Sequence, residues 1–281
     1  MRTHLITRLV WAIVLIGFVI VMAERSAIGD WWYLRSYSPP PLIQQLATEA
    51  DMTAEGRKVF YRAAPQIVTQ RSDMLSHCAI NDDQVAELGC YVSDDHIYLM
   101  EISEPALSNE MIVTSAYEML HPVYERMSSS ERKTVDAEME AIAPTITDPT
   151  ILDQMQTYAT SEPGERDNEL YSILGTEYPT ITPALEANYA KYLANRSQLV
   201  TYHLAFEQTY DGLANQIKQL QSQIDSTKAE MNSLRTEGDI SQYNALVPSV
   251  NAAVDSYNSD IDEYNRYGND LFGTQSTATT Q

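Results

Sequence analysis

The residues best suited to chemistry lie in one apolar stretch, residues 112–121, which reads IVTSAYEMLH. Glu118 and His121 are three positions apart, so an α-helix would present a carboxylate and an imidazole on one face. In the pattern H-E-x-x-H, a further histidine directly before the glutamate completes a pair of zinc ligands, and the glutamate acts as general base. Here that position holds Tyr117. The stretch therefore predicts a zinc-site helix with a phenol in place of its first imidazole.

Two glutamates downstream are candidates for a further zinc ligand. Glu169 lies in the segment NELYS, residues 168–172, and Glu177 follows a Gly-Thr pair. A phenol binds zinc only after it loses a proton whose pKa is near 10, whereas a neutral imidazole binds at pH 7 without that cost. A site that contains Tyr117, His121 and one of these glutamates should therefore bind zinc more weakly than a complete motif.

These segments resemble those of zincin metallopeptidases. Asn168-Glu169-x-x-Ser172 is similar to the N-E-x-x-S segment of thermolysin-like enzymes, and with the incomplete motif it makes residues 50–195 similar to the gluzincin type. The resemblance implies that zinc is the cofactor, that Glu118 is the general base, and that His121 and Glu169 are zinc ligands, with Glu177 as the alternative to Glu169. It also implies that residues 96–102 form the edge strand that binds substrate.

The elements that must position these residues are mostly helical. A helix is predicted over residues 108–127, with a kink at Pro122, and a Ser128-x-x-Glu131 capping box begins the next helix. Two β-rich runs, 87–92 and 96–102, flank a polar turn and predict an antiparallel hairpin. The predicted fold class is therefore α+β and mostly helical, with a small sheet packed on a zincin-like helical domain, residues 51–195.

The two cysteines, Cys78 and Cys90, predict one disulfide in an exported chain. Closing a loop of this length would stabilise the fold by about 3 kcal/mol. A metal cluster that uses the nearby His77 and His96 is the alternative, but the sequence lacks the C-x-x-C or H-x₃-H spacing that such a cluster would be expected to show.

The N-terminus predicts export. Arg2 and Arg8 precede an apolar run that ends before Glu24, which places residues 1–8 in the cytoplasm and everything after the run outside it. Residues 9–27 are predicted to be a single transmembrane helix, so that the lipid bilayer is a partner and the main domain is extracytoplasmic. The same run also fits a cleaved signal peptide, which would make the protein secreted. Residues 28–50, which contain three consecutive prolines, are interpreted as a stiff spacer.

The C-terminal part predicts an antiparallel coiled-coil hairpin over residues 196–271. Apolar residues recur every seven positions in two arms, which meet at Glu237-Gly238-Asp239. His203 occupies a seam position in the first arm and is interpreted as a partly buried core residue. Residues 272–281 are predicted to be disordered.

The formal net charge of −21 excludes a nucleic-acid-binding function, because phosphate groups require clustered Lys and Arg. Three functions remain open. The first is an extracytoplasmic zincin-like protein that has lost catalysis and binds a protein or peptide partner. The second is an active zinc peptidase that uses Glu118, and the third is a structural protein in which the coiled coil is the functional part.

Overall fold

The computed structural model describes residues 25–78, 88–92, 94–161 and 164–272, and this part of the chain is mostly helical with one small sheet. In chain order the elements are α1 (Arg25–Ser36), α2 (Pro41–Glu49), α3 (Ala54–Arg62), β1 (Gln66–Val68), α4 (Arg71–Cys78), β2 (Gly89–Val92), β3 (His96–Met100), α5 (Ser108–Glu125), α6 (Ser129–Ile142), α7 (Pro149–Ser161), α8 (Arg166–Thr176), α9 (Pro183–Tyr189), α10 (Arg196–Glu237) and α11 (Ile240–Phe272). The coarse fold class predicted from the sequence is confirmed.

Side-chain caps set where several helices begin. Thr53, Ser128 and Thr182 each accept a hydrogen bond from the backbone N–H three residues further on, at 3.1 to 3.2 Å. Asp148 accepts from the N–H of Thr150 at 2.8 Å in front of α7. Each bond satisfies a donor that the first turn of a helix leaves without a partner. Ser128 therefore caps α6 as predicted, and Oε1 of Glu131, the other member of the predicted capping box, accepts a hydrogen bond of 2.7 Å from Lys191.

Within the described residues the sheet has three strands in the order β1-β3-β2. The predicted hairpin is present, since β2 pairs antiparallel with β3 and places Cys90 opposite Tyr98. β1 adds a parallel strand on the other side of β3. The prediction that residues 96–102 form the edge strand is therefore wrong, because β3 is central and β2 is an edge. The run of β1 has only three residues, too few for an alternating pattern to reveal it.

Cys78 and Cys90 form the predicted disulfide, with their Cα atoms 5.8 Å apart. The bond joins the last residue of α4 to β2. It therefore fixes the edge strand of the sheet to the helix that packs beside it.

α5 is the element around which the others pack. Fourteen of its 18 residues are buried, as expected for a helix enclosed on all sides rather than one with a single apolar face. α2, α3, α8, α10 and the sheet surround it. The buried polar side chains of α5 must consequently find their partners inside the protein.

The segment 28–50, expected to be a spacer, instead belongs to the folded domain. α1 is held to α3 by an ion pair of 2.7 Å between Arg62 and Asp30. Pro41 begins α2, in the first-turn position that proline favours, and Ile43 and Leu46 enter the main core. The prolines therefore start a packed helix, and apolar residues at helical spacing bury one of its faces.

Both predicted terminal features lie outside the described residues. These are the transmembrane or signal segment, except for its last three positions at the start of α1, and the tail after Phe272. In the part of the chain that the structure describes, no helix combines the length and apolar character that crossing a bilayer requires.

α10 and α11 lie against each other as two arms, and Gly238 connects them with a left-handed backbone conformation (φ 82°). That conformation favours glycine, since a Cβ would clash in it. Ile224 and Met231 on one arm pack against Val250 and Ala253 on the other.

The opposite end of the hairpin is anchored in the domain. Tyr267 and Leu271 join the main core. Arg196, at the start of α10, is buried and donates hydrogen bonds to the carbonyl oxygens of Leu174, Tyr178 and Pro179. The guanidinium thus connects the hairpin to the segment that follows α8.

We expect Ile43→Ala to lower the free energy of unfolding by about 2–5 kcal/mol, because Ile43 is fully buried and its removal leaves a cavity. Urea unfolding followed by circular dichroism would measure the change. Gln45→Ala, on the exposed face of the same helix, is the matched control. Equal stability of the two variants would mean that residues 41–49 act as a spacer after all.

Candidate functional site

α5 and α8 bring together four residues singled out by the sequence. Tyr117, Glu118 and His121 lie on α5, and Glu169 lies on α8. We call these four residues the Tyr117 site.

The atoms of the Tyr117 site converge on Glu169 and His121. The Tyr117 hydroxyl donates a hydrogen bond of 2.7 Å to Oε2 of Glu169. Nε2 of His121 is 3.9 Å from Oε1 of Glu169 and 3.7 Å from Oε2 of Glu118. Two segments that are 52 positions apart in the chain thus meet at one place in the fold.

Asn168 orients the imidazole ring. Its Oδ1 lies 3.2 Å from Nδ1 of His121. An amide oxygen only accepts hydrogen bonds, so this contact requires the proton on Nδ1 and turns Nε2 towards the two carboxylates. This is the arrangement by which proteins orient a metal-binding histidine.

Tyr117 itself remains a hydrogen-bond donor. Burial raises the pKa of its hydroxyl well above the usual value, and the nearby Tyr158, Glu169 and Glu177 raise it further. The phenol therefore stays protonated at neutral pH. In this state it holds Glu169 in place and is not available as a negatively charged zinc ligand.

The residues present fit a catalytic zinc ion only in part. Two ligands of a tetrahedral zinc ion lie about 3.3 Å apart, so His121 and Glu169 would need only a small movement to share one. The position of a third protein ligand is taken by the protonated Tyr117. Among the described residues, no three His, Cys, Asp or Glu side chains are placed so that they hold a metal ion.

Strand β2 covers the Tyr117 site. A Cβ atom on Gly89 would lie only 2.8 Å from Cγ of Glu118, so the backbone of the strand passes directly over this carboxylate. The ring of Tyr91 stacks on His121 with 6.4 Å between ring centroids. Glu118 is consequently only 4% exposed, although a general base must reach substrate or a water molecule.

Glu177, the alternative zinc ligand, lies apart from His121 in a second polar group. Its Oε2 is 3.9 Å from Nε2 of His203, and Oε1 of Glu207 is 3.6 Å from the same nitrogen. Oε1 of Glu110 is 3.2 Å from Nδ1 of His203. We call Glu110, Glu177, His203 and Glu207 the His203 cluster.

The His203 cluster is not among the sites predicted from the sequence. His203 was interpreted as a seam residue, and 93 positions separate it from Glu110. One signal was present in α5: positions 110, 114, 117 and 121 are all polar and share one helical face. A polar stripe on an otherwise buried helix indicates internal polar partners.

Burial and charge act in opposite directions on the two titratable groups at the centre of the cluster. Burial raises the pKa of Glu177 to about 7, and Glu110, Glu207 and Glu169 add to the rise against the opposing effect of His203. Burial lowers the pKa of His203, but hydrogen bonds to Glu110 and Glu207 and the charge of Glu177 outweigh it and raise the value to about 11. The imidazole is therefore positively charged at neutral pH, and Glu177 is close to its own titration midpoint.

No family model, curated protein or solved structure matches this chain. The resemblance to zincins therefore remains a prediction from the sequence.

We expect stability to depend on pH through Glu177. Its pKa is higher in the folded chain, about 7, than the ordinary 4.5, so its contribution is fully present below pH 4.5 and is lost as the pH rises through 7. The free energy of unfolding of Glu177→Gln should therefore rise relative to that of wild type between pH 4.5 and 8, by no more than about 3 kcal/mol.

Urea unfolding of wild type and Glu177→Gln at a series of pH values would measure this change. Glu230→Gln, on the exposed surface of α10, controls for the loss of one negative charge. A constant difference between Glu177→Gln and wild type over this pH range would contradict the assignment.

Proposed function

We propose that this chain is a zincin-like protein without peptidase activity that acts as an extracytoplasmic binding protein. In this proposal its N-terminal segment attaches it to a membrane, the domain of α1 to α9 forms the base, and the hairpin of α10 and α11 is the arm that contacts a protein partner.

The observation that carries the proposal is the hydrogen bond of 2.7 Å from Tyr117 to Glu169. In an active site of the gluzincin type, this carboxylate would face a doubly charged ion. Here it faces a neutral phenol, which satisfies one of its oxygens but cannot polarise a peptide carbonyl or activate water as a metal ion does. The bond preserves the arrangement of α5 and α8 without requiring metal.

The cover formed by β2 supports the same conclusion. A peptidase needs an open cleft beside its general base, and the backbone at Gly89 lies directly against Glu118. The disulfide between Cys78 and Cys90 fixes that strand to α4. Opening a path to Glu118 would require movement of a strand that is held covalently.

The shape of the hairpin supports a binding role. Phe206, Tyr210 and Leu213 on α10 still contact the main core, whereas Ile224 and Met231 belong to a separate cluster formed within the hairpin. From residue 217 to its end at Glu237, α10 rises about 30 Å. Neither packing of the domain nor chemistry at the Tyr117 site requires this projection.

We expect Tyr117→His to bind one more zinc ion per chain than the wild type, because it restores an imidazole one turn from His121 beside Glu169. Elemental analysis and calorimetric zinc titration of the full-length protein would measure the gain. Tyr117→Phe is the matched control, since it removes the hydroxyl without supplying a ligand. Absence of a gain in Tyr117→His would contradict the zincin resemblance.

Activity separates the proposal from the alternative of an active peptidase. Wild type should not hydrolyse peptide substrates in the presence of zinc. Hydrolysis by wild type that disappears in Glu118→Gln, together with zinc that is lost in His121→Gln, would overturn the proposal in favour of catalysis.

The role of the hairpin is tested by shortening it. Gln216 and Asp260 are joined across the arms by a hydrogen bond of 2.8 Å, so residues 220–256 can be removed and the helices rejoined by a glycine-containing turn. We expect the melting temperature of the domain to change little, because the core contacts of α10 and α11 remain. Partner proteins that cross-link to the full-length chain at the cell surface should no longer cross-link to the shortened variant. If they still do, the binding surface lies on the domain and not on the hairpin.

A further inference from the structure

We propose that the His203 cluster binds a divalent transition-metal ion, with Nε2 of His203 and the carboxylates of Glu177 and Glu207 as ligands. This proposal does not depend on the fate of the Tyr117 site, which lies further along α5.

The distances within the cluster approach those of a metal site. Nε2 of His203 is 3.6 Å from Oε1 of Glu207 and 3.9 Å from Oε2 of Glu177. Ligands of a tetrahedral ion lie about 3.3 Å apart, so the two oxygens must move inwards by about 0.3 to 0.6 Å. As placed, the three side chains are too far apart to hold an ion, and a modest rotation of the Glu207 side chain, which is 21% exposed, would bring it closer.

Glu110 orients the imidazole for this role. Its Oε1 lies 3.2 Å from Nδ1 of His203, which directs Nε2 towards Glu177 and Glu207. A carboxylate on the far nitrogen of a metal-binding histidine fixes the ring and makes the other nitrogen a better ligand. Glu110 is 6% exposed, and the residue lies on the rigid, enclosed helix α5.

Two buried oxygens of the cluster lack hydrogen-bond donors among the described residues. Oε2 of Glu177, which faces His203, has no hydrogen-bond partner in the described part of the chain, and the same holds for Oε2 of Glu110. Glu177 is 8% exposed. Burying a carboxylate oxygen without a donor is costly, and a cation would remove that cost.

The balance of charge favours a doubly charged ion. Three carboxylates surround one imidazole, and within the described residues the ion pairs of Glu110 and Glu177 are with His203. An imidazole that donates its Nδ1–H to Glu110 presents the electron pair of Nε2 to a cation, and a divalent ion would balance two of the three negative charges.

The donor set selects the class of metal. One imidazole with carboxylates suits zinc, manganese, iron or cobalt in the divalent state, whereas calcium and magnesium prefer oxygen ligands alone. Glu207 is partly exposed and Asp211, one turn further along α10, is exposed. This acidic edge offers an ion a route from solvent to the buried part of the cluster.

The experiment is a calorimetric titration of the full-length protein with zinc chloride, and separately with manganese chloride, after treatment with a chelator. We expect wild type to bind one zinc ion per chain. His203→Gln should abolish this binding, and Glu207→Gln should weaken it at least tenfold. His121→Gln and Glu230→Gln should leave stoichiometry and affinity unchanged.

Glu207→Gln keeps the test valid should His203→Gln fail to fold, because Glu207 is partly exposed and its loss leaves the buried groups in place. Wild type that binds neither metal would overturn this inference and leave the proposed function intact. Binding that is lost in His121→Gln but kept in Glu207→Gln would overturn the inference and place the ion at the Tyr117 site instead. Binding that is unchanged by Glu207→Gln and by His121→Gln would overturn the inference alone.

Discussion

The arrangement of this domain depends on one constraint, the burial of carboxylates on α5. The helix is enclosed on nearly all sides, yet it carries Glu110 and Glu118 inside the protein. A buried carboxylate without a partner would cost several kcal/mol, so the neighbouring helices must supply hydrogen bonds and positive charge. α10 meets this demand with His203 at Glu110. The polar face of α5 thus determines which face of each neighbour turns inwards.

Protons carry much of this balance. Tyr117 keeps its proton and donates a hydrogen bond to Glu169, while His203 is protonated among its three glutamates. Glu177 is left near its titration midpoint. In the described structure, the Tyr117 site and the His203 cluster are therefore both stabilised by protons rather than by a bound ion. They differ in what an ion would find: a neutral phenol blocks the Tyr117 site, whereas a displaceable proton occupies the His203 cluster.

Local signals in the sequence predicted much of this fold, and non-local pairing explains what they missed. The cap at Ser128, the β2–β3 hairpin and the Cys78–Cys90 disulfide each depend on residues that lie close together in the chain. β1 was missed because a parallel strand pairs through a connection of many residues. For the Tyr117 site, the sequence pattern grouped Tyr117 and His121 with Asn168 and Glu169, and the structure places these residues in contact. It could not reveal the His203 cluster, whose members come from α5, α10 and the residue that follows α8, and share no motif. The proline run before α2 was misread because proline both stiffens a linker and begins a helix.

The hairpin and the polar interior are mechanically connected. α10 is one continuous helix of 42 residues that contributes His203 and Glu207 at its base and projects as an arm at its other end. Arg196 fixes the first turn of this helix to the chain just after Glu177, through the carbonyl oxygens of Tyr178 and Pro179. Tilting the arm would therefore change the distance between His203 and Glu177. Because the ion pairs of a buried cluster resist such a change, they hold the base of the arm at a defined angle to the domain. In the proposed function, a rigid base would let the arm present its far end to a partner, so the buried charges would serve the projecting surface as well as the core.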